Sequence, residues 1–250
     1  MSDNKVILIT GVGRGIGRAL LEMYLARPDH TVIGSVRNQA SAEQAGLGSV
    51  PTAENTKLFI VYIESTSPSD PAKALERVKS SGVDHIDVVI ANAGGFPPAT
   101  PLATVSRQEL IGCFEINAAA PVLLFQTFRE LLRRARSPQW ISISTSAGSI
   151  GSIGVIGSHF LAAYGASKAA LNWLTQTIHF TEDWLTVVSL QPGLVQTAQG
   201  DWVAKHVGLE RAPTTTEESA SAIMRVIDNA TCEKTSGKFI DAVGEVEVPW

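Results

Sequence analysis

Tyr164 and Lys168 are the residues of this chain whose types and spacing point most directly to chemistry. They stand four residues apart in the run Tyr-Gly-Ala-Ser-Lys, so on a helix both side chains would lie on the same face. A positive charge close to a phenol favours the phenolate and lowers the tyrosine pKa from its ordinary value of about 10. Such a pair could exchange a proton with a substrate at neutral pH. The same spacing also suits an ordinary exposed helix pair, so the surrounding elements decide between the two.

The first of these elements is a glycine-rich turn. Lys5–Thr10 (KVILIT) is a short, continuously apolar run, which is typical of a strand buried on both faces of a parallel sheet. The loop that follows, before a helical pattern, consists of Gly11, Val12, Gly13, Arg14, Gly15, Ile16 and Gly17. Glycines let the backbone approach a pyrophosphate, and the free N–H groups of the first helical turn would point at it. The spacing G-x-x-x-G-x-G in this position therefore predicts a dinucleotide site and not a merely flexible turn.

The end of the second predicted strand, residues 31–36, indicates which dinucleotide binds. An acid there would accept hydrogen bonds from the ribose 2′-hydroxyl of NAD. This chain has Arg37 at that place and a second guanidinium, Arg14, in the glycine loop, with no carboxylate. The N–H donors of a guanidinium match the oxygens of a 2′-phosphate, so we expect NADP(H). The alternative is that either arginine is simply solvated surface.

The remaining apolar runs complete an alternating series of strands and helices. Further strands are predicted at residues 57–63, 86–91, 140–145, 185–190 and 236–240. The series predicts the α/β class, with one Rossmann-type, doubly wound parallel sheet of about seven strands, helices on both faces, and a single domain over residues 1–250. Ligands bind such sheets at the carboxyl ends of the strands. Residues 64–67 follow the third strand and could contact an adenine, and Asn92, Ala93 and Gly94 follow the fourth.

Composition argues against several other classes of function. The chain has 250 residues, 44% of them hydrophobic, and a formal net charge of −4, so neither nucleic acid nor an anionic membrane is expected as a partner. Cys113 and Cys232 have no metal-ligand spacing around them, which predicts reduced thiols, no metal and a cytoplasmic protein. No signal peptide is expected, nor any apolar segment of the ~18 residues that cross a bilayer. A hydrolase is also not expected, because the G-x-S-x-G motif is missing.

Taken together, the motifs resemble the short-chain dehydrogenase/reductase family. They are TGxxxGxG, then Asn-Ala-Gly after the fourth strand, then Tyr-x-x-x-Lys about 70 residues later, and the similarity runs over essentially the whole chain. Residues 192–197 (PGLVQT) match the family segment PGxVxT. The resemblance implies that Tyr164, Lys168, Pro192, Gly193, Val195 and Thr197 also contact the cofactor. The acid that often follows this threonine in the family is Ala198 here.

The same resemblance implies four catalytic residues: Asn117, Thr145, Tyr164 and Lys168. Asn117 matches the family asparagine whose carbonyl-bound water links the lysine to solvent. Thr145 occupies the position of the family serine, three residues before Gly148, and has an equivalent hydroxyl. Its neighbours Ser144 and Ser146 stay open as alternatives, although strand alternation places them on the opposite face.

Two segments are expected to enclose the substrate. Residues 149–163 form a Gly/Ser-rich insert that is longer than the usual family connection, and we expect it to shape the pocket. Ser149, Ser152 or His159 could reach the substrate, or the insert could be a plain flexible loop. Residues 198–214 are expected to form a lid over the substrate.

Short stretches narrow the resemblance further. Residues 120–125, 212–215 and the run 236–250 are similar to fungal ketoreductases of the norsolorinic acid type, and the chain also resembles carbonyl reductases of the C-factor and sniffer type. This implies NADPH-dependent reduction of a small-molecule ketone, with Tyr164 as the proton donor, in the biosynthesis of aromatic polyketides. A homodimer or homotetramer is implied as well. Two alternatives remain: a cyclase or isomerase on the same fold, or a non-catalytic NADP(H)-binding module.

Overall fold

A computed structural model describes residues 4–96 and 99–250 of the chain. Within these ranges the sheet has eight strands in the order β3-β2-β1-β4-β5-β6-β7-β8. The strands are β1 Lys5–Thr10, β2 His30–Val36, β3 Lys57–Tyr62, β4 Val88–Ala91, β5 Gln139–Ile143, β6 Thr186–Gln191, β7 Lys238–Asp241 and β8 Val246–Glu247. The first seven are parallel to their neighbours, and β8 is antiparallel to β7.

Helices cover both faces of this sheet. They are α1 Gly15–Leu25, α2 Gln39–Gln44, α3 Asp70–Ser80, α4 Arg107–Phe114, α5 Ala120–Arg133, α6 Ile153–Ile156, α7 Ala162–Thr181, α8 Ala198–His206 and α9 Thr216–Asn229. Side chains of β1 alternate between two hydrophobic cores: Ile7 and Ile9 join the core closed by α1 and α9, whereas Val6 and Leu8 join the core closed by α3 and α5. The predicted doubly wound α/β architecture is therefore confirmed.

Two short elements were not predicted. Strand β8 consists of Val246 and Glu247, whose side chains are exposed, so no hydrophobic pattern marks it. The insert of residues 149–163 contains the helix α6 and a 3₁₀ turn over Ser158–Phe160, and is therefore more ordered than a plain loop. Strand β8 depends on its pairing with β7, and the start of the insert is tied to Pro249 and Trp250, contacts that local sequence patterns do not report.

Helices α4 and α5 are joined without a break by a π-helical turn over Glu115–Ala119. Pro121 explains the widened turn. Proline has no N–H to donate to the carbonyl of Asn117, four residues earlier, and in a regular α-helix its ring would crowd that carbonyl. A π-helical turn relieves both conflicts while the helix continues.

The joined helix, Arg107–Arg133, is long and apolar enough by length and composition to span a membrane. The expectation that no apolar segment reaches this length is wrong, because the π-helical turn joins α4 and α5 into one continuous helix. In the fold one face of this helix packs into the core, while Leu110, Ile111, Phe114 and Leu123 stay partly exposed. Phe125 and Phe128 are buried, and the ring of Phe125 meets that of Trp140 edge-on at 5.3 Å between centroids.

The order of the strands reverses between β1 and β4. The chain builds β2 and β3 on one side of β1 and places β4, β5 and β6 on the other. In doubly wound sheets a crevice opens at this point, along the carboxyl ends of the strands. The glycine loop after β1 and the segments that follow β4, β5 and β6 all reach this edge.

Candidate active site

The glycine loop is closely packed against itself and against β2. Gly11 and Gly15 have φ of +74° and +58°, which residues with a Cβ rarely adopt. The amides of Gly11 and Val12 both donate to the carbonyl of Ser35, each at 3.0 Å. A Cβ on Gly17 would overlap the Asn92 amide nitrogen and the Gly11 carbonyl oxygen. The three motif glycines are therefore required by the shape of the loop.

Thr10 and Asn92 fasten this loop to the end of β4. The Thr10 hydroxyl accepts hydrogen bonds from the amides of Asn92 at 3.0 Å and Ala93 at 2.9 Å. The side-chain amide of Asn92 donates to the Thr10 carbonyl at 2.8 Å. Asn92 and Ala93, expected as cofactor contacts, thus also hold the cradle in shape. Thr10 lies just before the glycines, and its anchoring role was missed because it depends on a partner 82 residues away.

The start of helix α1 faces out of the loop. Arg14 precedes the helix in an extended conformation and provides no side-chain cap, and the first turn has no acidic residue. Ile16 packs against the core. Across the crevice lies Thr197, since a Cβ on Gly15 would be 3.3 Å from its methyl group. Uncapped N–H groups at a helix start suit an anion such as a pyrophosphate.

The two arginines expected to bind a 2′-phosphate lie in different surroundings. Arg14 is exposed, and Arg37 is 68% exposed with its Nε 3.2 Å from a carboxylate oxygen of Glu64. The end of β2 itself has no carboxylate, as expected, but the structure brings one from the end of another strand to Arg37. Strand β3 runs beside β2 and delivers Glu64 next to the end of β2, a neighbour that the position of Arg37 in the sequence does not reveal.

A cavity opens beside this arginine, where an adenine was expected. Glu64, Ser65 and Ser67 lie on its wall, as the sequence suggested. The other lining residues are Thr10, Ser35, Ile63, Pro71, Ala91, Ala93, Ala120, Pro121, Leu123 and Leu124. Its walls are mainly apolar with a few hydroxyl groups, which is typical of a site for a flat heterocycle.

Tyr164 and Lys168 lie on α7, at the same edge of the sheet. The Lys168 ammonium is buried, donates to the carbonyl of Ile143 at 2.8 Å and lies 5.9 Å from the centre of the Tyr164 ring. Burial lowers the pKa of Lys168 to about 8. Burial, with a smaller contribution from the Cys113 thiol, raises the pKa of Tyr164. The expected lowering of the tyrosine pKa by Lys168 is thus wrong for the protein alone, because desolvation of the phenol dominates.

Asn117 lies in the π-helical turn and is fully buried. Its amide group makes a reciprocal pair with Gly95: it accepts from the Gly95 amide at 2.8 Å and donates to the Gly95 carbonyl at 2.9 Å. It also donates to the Ser167 hydroxyl at 2.9 Å, and that hydroxyl donates to the Tyr164 carbonyl at 2.7 Å. Ser167 was not predicted, although it is the fourth residue of the Tyr-x-x-x-Lys run.

Gly94 allows Asn117 and Lys168 to approach each other closely. A Cβ on Gly94 would be 3.1 Å from the side-chain oxygen of Asn117 and 3.7 Å from the Lys168 nitrogen. Gly148 likewise lets the backbone of Lys168 approach closely, because a Cβ on Gly148 would be 2.7 Å from that backbone. Close backbone approach therefore brings α7 against the ends of β4 and β5.

The three hydroxyl residues after β5 have different partners. Ser144 is buried, and its hydroxyl donates to the Asn172 side chain at 2.6 Å, which turns it into the core. Thr145 is half-buried at the crevice, and its hydroxyl accepts from the Ala147 amide at 3.2 Å, which leaves its own hydrogen to donate. The Ser146 amide donates to the Gln191 side chain at 3.1 Å. Ser144 and Thr145 both have hydrogen-bonded hydroxyls, and of these two Thr145 lies at the crevice.

The loop after β6 closes the opposite wall. Gly193 has φ of +91°, and the carbonyl of Pro192 accepts from the Ser219 hydroxyl at 2.7 Å. Val195 is buried, and the Thr197 hydroxyl accepts from the amide of Gly200 at 3.1 Å, which caps helix α8. Thr197, expected as a phosphate contact, therefore also fixes the start of the predicted lid.

Four aromatic side chains form a cluster, here called the ring cluster, next to Tyr164: Phe96, Phe160, Trp202 and His206. Phe96 meets the Tyr164 ring edge-on at 4.9 Å between centroids and lies 5.7 Å from Trp202. His206 stacks on Phe160 at 4.1 Å and on Trp202 at 5.4 Å. Phe160 belongs to the insert, while Trp202 and His206 belong to α8. The cluster thus joins the insert to the predicted lid above the tyrosine, and no local motif indicated it.

The three insert residues that were considered as substrate contacts do not join this cluster. The Ser149 hydroxyl is buried and donates to the carbonyl of Pro249 at 2.5 Å. The Ser152 amide donates back to that hydroxyl at 3.0 Å, and His159 is exposed. The alternative in which Ser149 reaches the substrate does not fit the structure, because its hydroxyl is bonded to Pro249, away from the crevice.

Comparison with known families shows a match to the short chain dehydrogenase model over residues 5–208. The chain belongs to the short-chain dehydrogenase family. A short-chain dehydrogenase of Neurospora crassa, srdF, is 46% identical over 253 residues, which cover 100% of this chain and 99% of that protein. The norsolorinic acid ketoreductase of Aspergillus parasiticus is 37% identical, over 99% of this chain and 92% of its own length.

Solved structures agree with the family assignment. An NADPH-bound carbonyl reductase from chicken fatty liver matches with a TM-score of 0.84 and 27% sequence identity, over 100% of both chains. The carbonyl reductase Sniffer of Drosophila melanogaster matches with a TM-score of 0.82 and 25% identity. This short-chain dehydrogenase is therefore an oxidoreductase related to ketoreductases of fungal secondary metabolism and to carbonyl reductases.

Proposed function

We propose that this short-chain dehydrogenase reduces a ketone on an aromatic small molecule with NADPH as the cofactor. The observation that carries the proposal is the convergence of Tyr164, Lys168 and Asn117 at the edge of the sheet where the glycine loop opens. Two separate elements place these groups: α7 carries the first two and the π-helical turn carries the third. A proton donor beside a dinucleotide cradle is the arrangement that carbonyl reduction needs.

The residues of the crevice fit a dinucleotide. Gly11, Gly15 and Gly17 leave a loop without side chains in front of the uncapped start of α1, where a pyrophosphate would be held. The cavity beside Glu64 would take the adenine. Pro192, Gly193, Val195 and Thr197, after β6, would line the nicotinamide side. When bound, the reduced cofactor supplies the hydride.

Preference for NADP(H) is supported by Arg14 and Arg37, the exposed guanidiniums nearest to the expected ribose. The Arg37–Glu64 pair is open to solvent and is therefore weak, so a 2′-phosphate can compete with the carboxylate for the guanidinium. A dianionic phosphate attracts the fork of N–H donors more strongly than a carboxylate does. The related chicken carbonyl reductase is described as NADPH-bound.

Proton delivery is assigned to Tyr164. The raised pKa keeps its phenol protonated at neutral pH, which suits a group that gives a proton to the forming alkoxide. The Thr145 hydroxyl would donate a second hydrogen bond to the carbonyl oxygen, which polarises the carbonyl. Lys168 would bind ribose hydroxyls when it leaves the Ile143 carbonyl. Asn117 and Ser167 hold the backbones of Gly95 and Tyr164 in place.

An aromatic substrate is supported by the ring cluster above Tyr164. Phe96 and Trp202 present ring faces and edges at the crevice, and aromatic surfaces favour flat aromatic ligands. The relative from Aspergillus parasiticus is named as a norsolorinic acid ketoreductase, which agrees with reduction of a polycyclic ketone in secondary metabolism.

The test combines an aromatic ketone panel with two matched tyrosine variants. The wild-type protein should consume NADPH, measured as lost absorbance of the reduced nicotinamide. Tyr164→Phe should lower turnover by about 10²- to 10⁴-fold with NADPH affinity unchanged. Tyr24→Phe is the control, because its hydroxyl is buried without a partner among the residues that the structure describes.

The outcomes separate the possible functions. Near-normal turnover by Tyr164→Phe would refute the assigned role of that tyrosine. Product formed without consumption of NADPH would indicate an isomerase or cyclase. Tight NADPH binding with no product from any ketone would indicate a binding module.

A second copy of the chain is the proposed partner of one apolar face. Helices α4 and α7 pack together and expose Phe114, Trp173 and Phe180 to 47%, 77% and 81% of their surface. Three large exposed rings on adjacent helices are more than single scattered apolar residues, and such faces mark protein interfaces. Sedimentation should give a dimer or tetramer mass for the wild type and a monomer mass for Trp173→Glu. A monomeric wild type would contradict the proposal.

A further inference from the structure

We infer that residues 248–250, here called the end segment, position the wall of the substrate pocket, an inference that rests on the proposed function. This segment lies beyond β8 and is far from the glycine loop and from Tyr164 in sequence. It nevertheless makes the contacts that fix the start of the insert. The insert in turn carries Phe160 to the ring cluster next to Tyr164.

Three contacts join the end segment to the insert. The buried Ser149 hydroxyl donates to the Pro249 carbonyl at 2.5 Å, and the Gly151 amide donates to the Trp250 carbonyl at 2.9 Å. A Cβ on Gly151 would be 3.1 Å from the Cβ of Pro249, so the two backbones are in close contact. The Ser149 hydroxyl also accepts from Ser152 at 3.0 Å, which closes the first turn of the insert.

The end segment is itself held by the core of the sheet. The centre of the Trp250 ring lies 5.5 Å from that of Phe239, a fully buried residue of β7. The Val248 amide donates to the carbonyl of Phe239 at 2.7 Å. The rigid strand β7 therefore supports the end segment, and the end segment supports Ser149 and Gly151.

The insert has no comparable support along its middle. Ile150, Ile153, Val155 and Ile156 are exposed, Val155 to 93% of its surface, and α6 has only four residues. Its far end is tied again, by the Ser158 hydroxyl to the Ala147 carbonyl at 3.4 Å and by the stacking of Phe160 on His206. With few buried contacts between these two ties, loss of the first should let the insert and Phe160 shift.

The sharpest test adds one methyl group at either of two glycines of the insert. Gly151→Ala places a Cβ against Pro249 and should push the end segment away. Gly154→Ala, three residues later, is the matched control, because nothing lies within 4 Å of its added Cβ. Gly151→Ala should raise the KM for an aromatic ketone by about tenfold with kcat changed by less than about twofold, and Gly154→Ala should change neither.

Removal of the end segment provides the second arm. Deletion of residues 248–250 and the variant Ser149→Ala should each raise the KM. The variant that combines them should have the same KM as the deletion alone, because both changes remove the contact between Ser149 and Pro249. Trp250→Phe keeps a ring against Phe239 and should have a KM close to that of the wild type, whereas Trp250→Ala should have a raised KM. NADPH affinity should stay unchanged in all of them, which excludes general unfolding.

Hydrogen exchange supplies a readout that does not need turnover. Peptides covering residues 149–156 should take up deuterium faster in Gly151→Ala and in the deletion than in Gly154→Ala. Unchanged KM and unchanged exchange in an active deletion variant would overturn the inference. A wild type that reduces no ketone would overturn the proposed function instead, and faster exchange in the deletion would still establish the link between the end segment and the insert.

Discussion

The two sides of the crevice are built in different ways. On the proposed cofactor side, the glycine loop is held by backbone hydrogen bonds to β2 and by Thr10 and Asn92, all within or beside buried strands. On the substrate side, the insert and α8 meet through stacked rings, and several of their apolar side chains are exposed. The cofactor side depends on exact backbone fit, whereas the substrate side depends on a few separate contacts.

This difference indicates which side tolerates change. An added methyl group on Gly11 or Gly17 of the glycine loop meets backbone atoms, so the loop must distort or fail to bind its ligand. The insert is less confined along its middle, where an added methyl group on Gly154 meets nothing within 4 Å, although Gly151 and, in α8, Gly200 lie close to other segments. Short-chain dehydrogenases with one cofactor could therefore acquire different substrates through the second side without disturbing the first. The following predictions test this contrast.

The largest effect is expected on the cofactor side, from Gly17→Ala. The added Cβ overlaps the Asn92 amide nitrogen and the Gly11 carbonyl, both of which are fixed. NADPH binding, measured by fluorescence titration, should weaken by about 10²-fold or more, because the loop can no longer close. Gly13→Ala is the control, since its Cβ would meet Val36 at an ordinary 3.7 Å. Equal affinities of the two variants would show that loop geometry does not limit binding.

A smaller and selective effect is expected on the substrate side, from Trp202→Ala. Loss of this ring removes the contact with Phe96 and the stacking on His206. The KM for a polycyclic aromatic ketone should rise by about tenfold, while the KM for a small aliphatic ketone and the affinity for NADPH stay the same. Trp202→Phe should retain most of the selectivity. A parallel loss of NADPH affinity would mean that the two sides are not separable.

The smallest effect is a pH dependence at the boundary between the two sides. Burial lowers the pKa of Lys168 to about 8 in the free protein, so its ammonium is largely intact below pH 8 and is lost above it. Because the charged form would bind the cofactor, NADPH affinity should be flat below the pKa and fall above it, by about threefold from pH 7.5 to 8.5. Lys168→Arg stays charged and should bind with no such fall. A rise of affinity with pH in the wild type would contradict this sign.

The cofactor side was largely predictable from the sequence. A buried strand, a glycine spacing and a helix start lie next to one another in the chain, and each has a local pattern. The roles of Thr10 and of Glu64 were less accessible, because they depend on which strands are neighbours. The spacing of Tyr164 and Lys168 predicted their shared position on α7, but not the direction of the tyrosine pKa, which is set by burial.

Most contacts on the substrate side could not be predicted from the sequence. The Ser149–Pro249 contact joins residues 100 positions apart, and the ring cluster draws on three separate segments. Neither has a periodic pattern or a turn signature, since side-chain stacking places no constraint on spacing in the chain. The exposed residues of β8 show no hydrophobic alternation, and the four residues of α6 are too few to show a helical period.

The π-helical turn at Asn117 has a consequence for efforts to make this enzyme more heat-resistant. Pro121→Ala would restore a missing N–H donor, and loss of one alanine from the turn would let the helix run regularly, so both changes would be favoured by a screen on melting temperature. Removing one residue would also rotate Asn117 by about 100°, away from Gly95 and Ser167. Because Asn117 belongs to the proposed catalytic group, selection for a higher melting temperature at this turn would select against turnover.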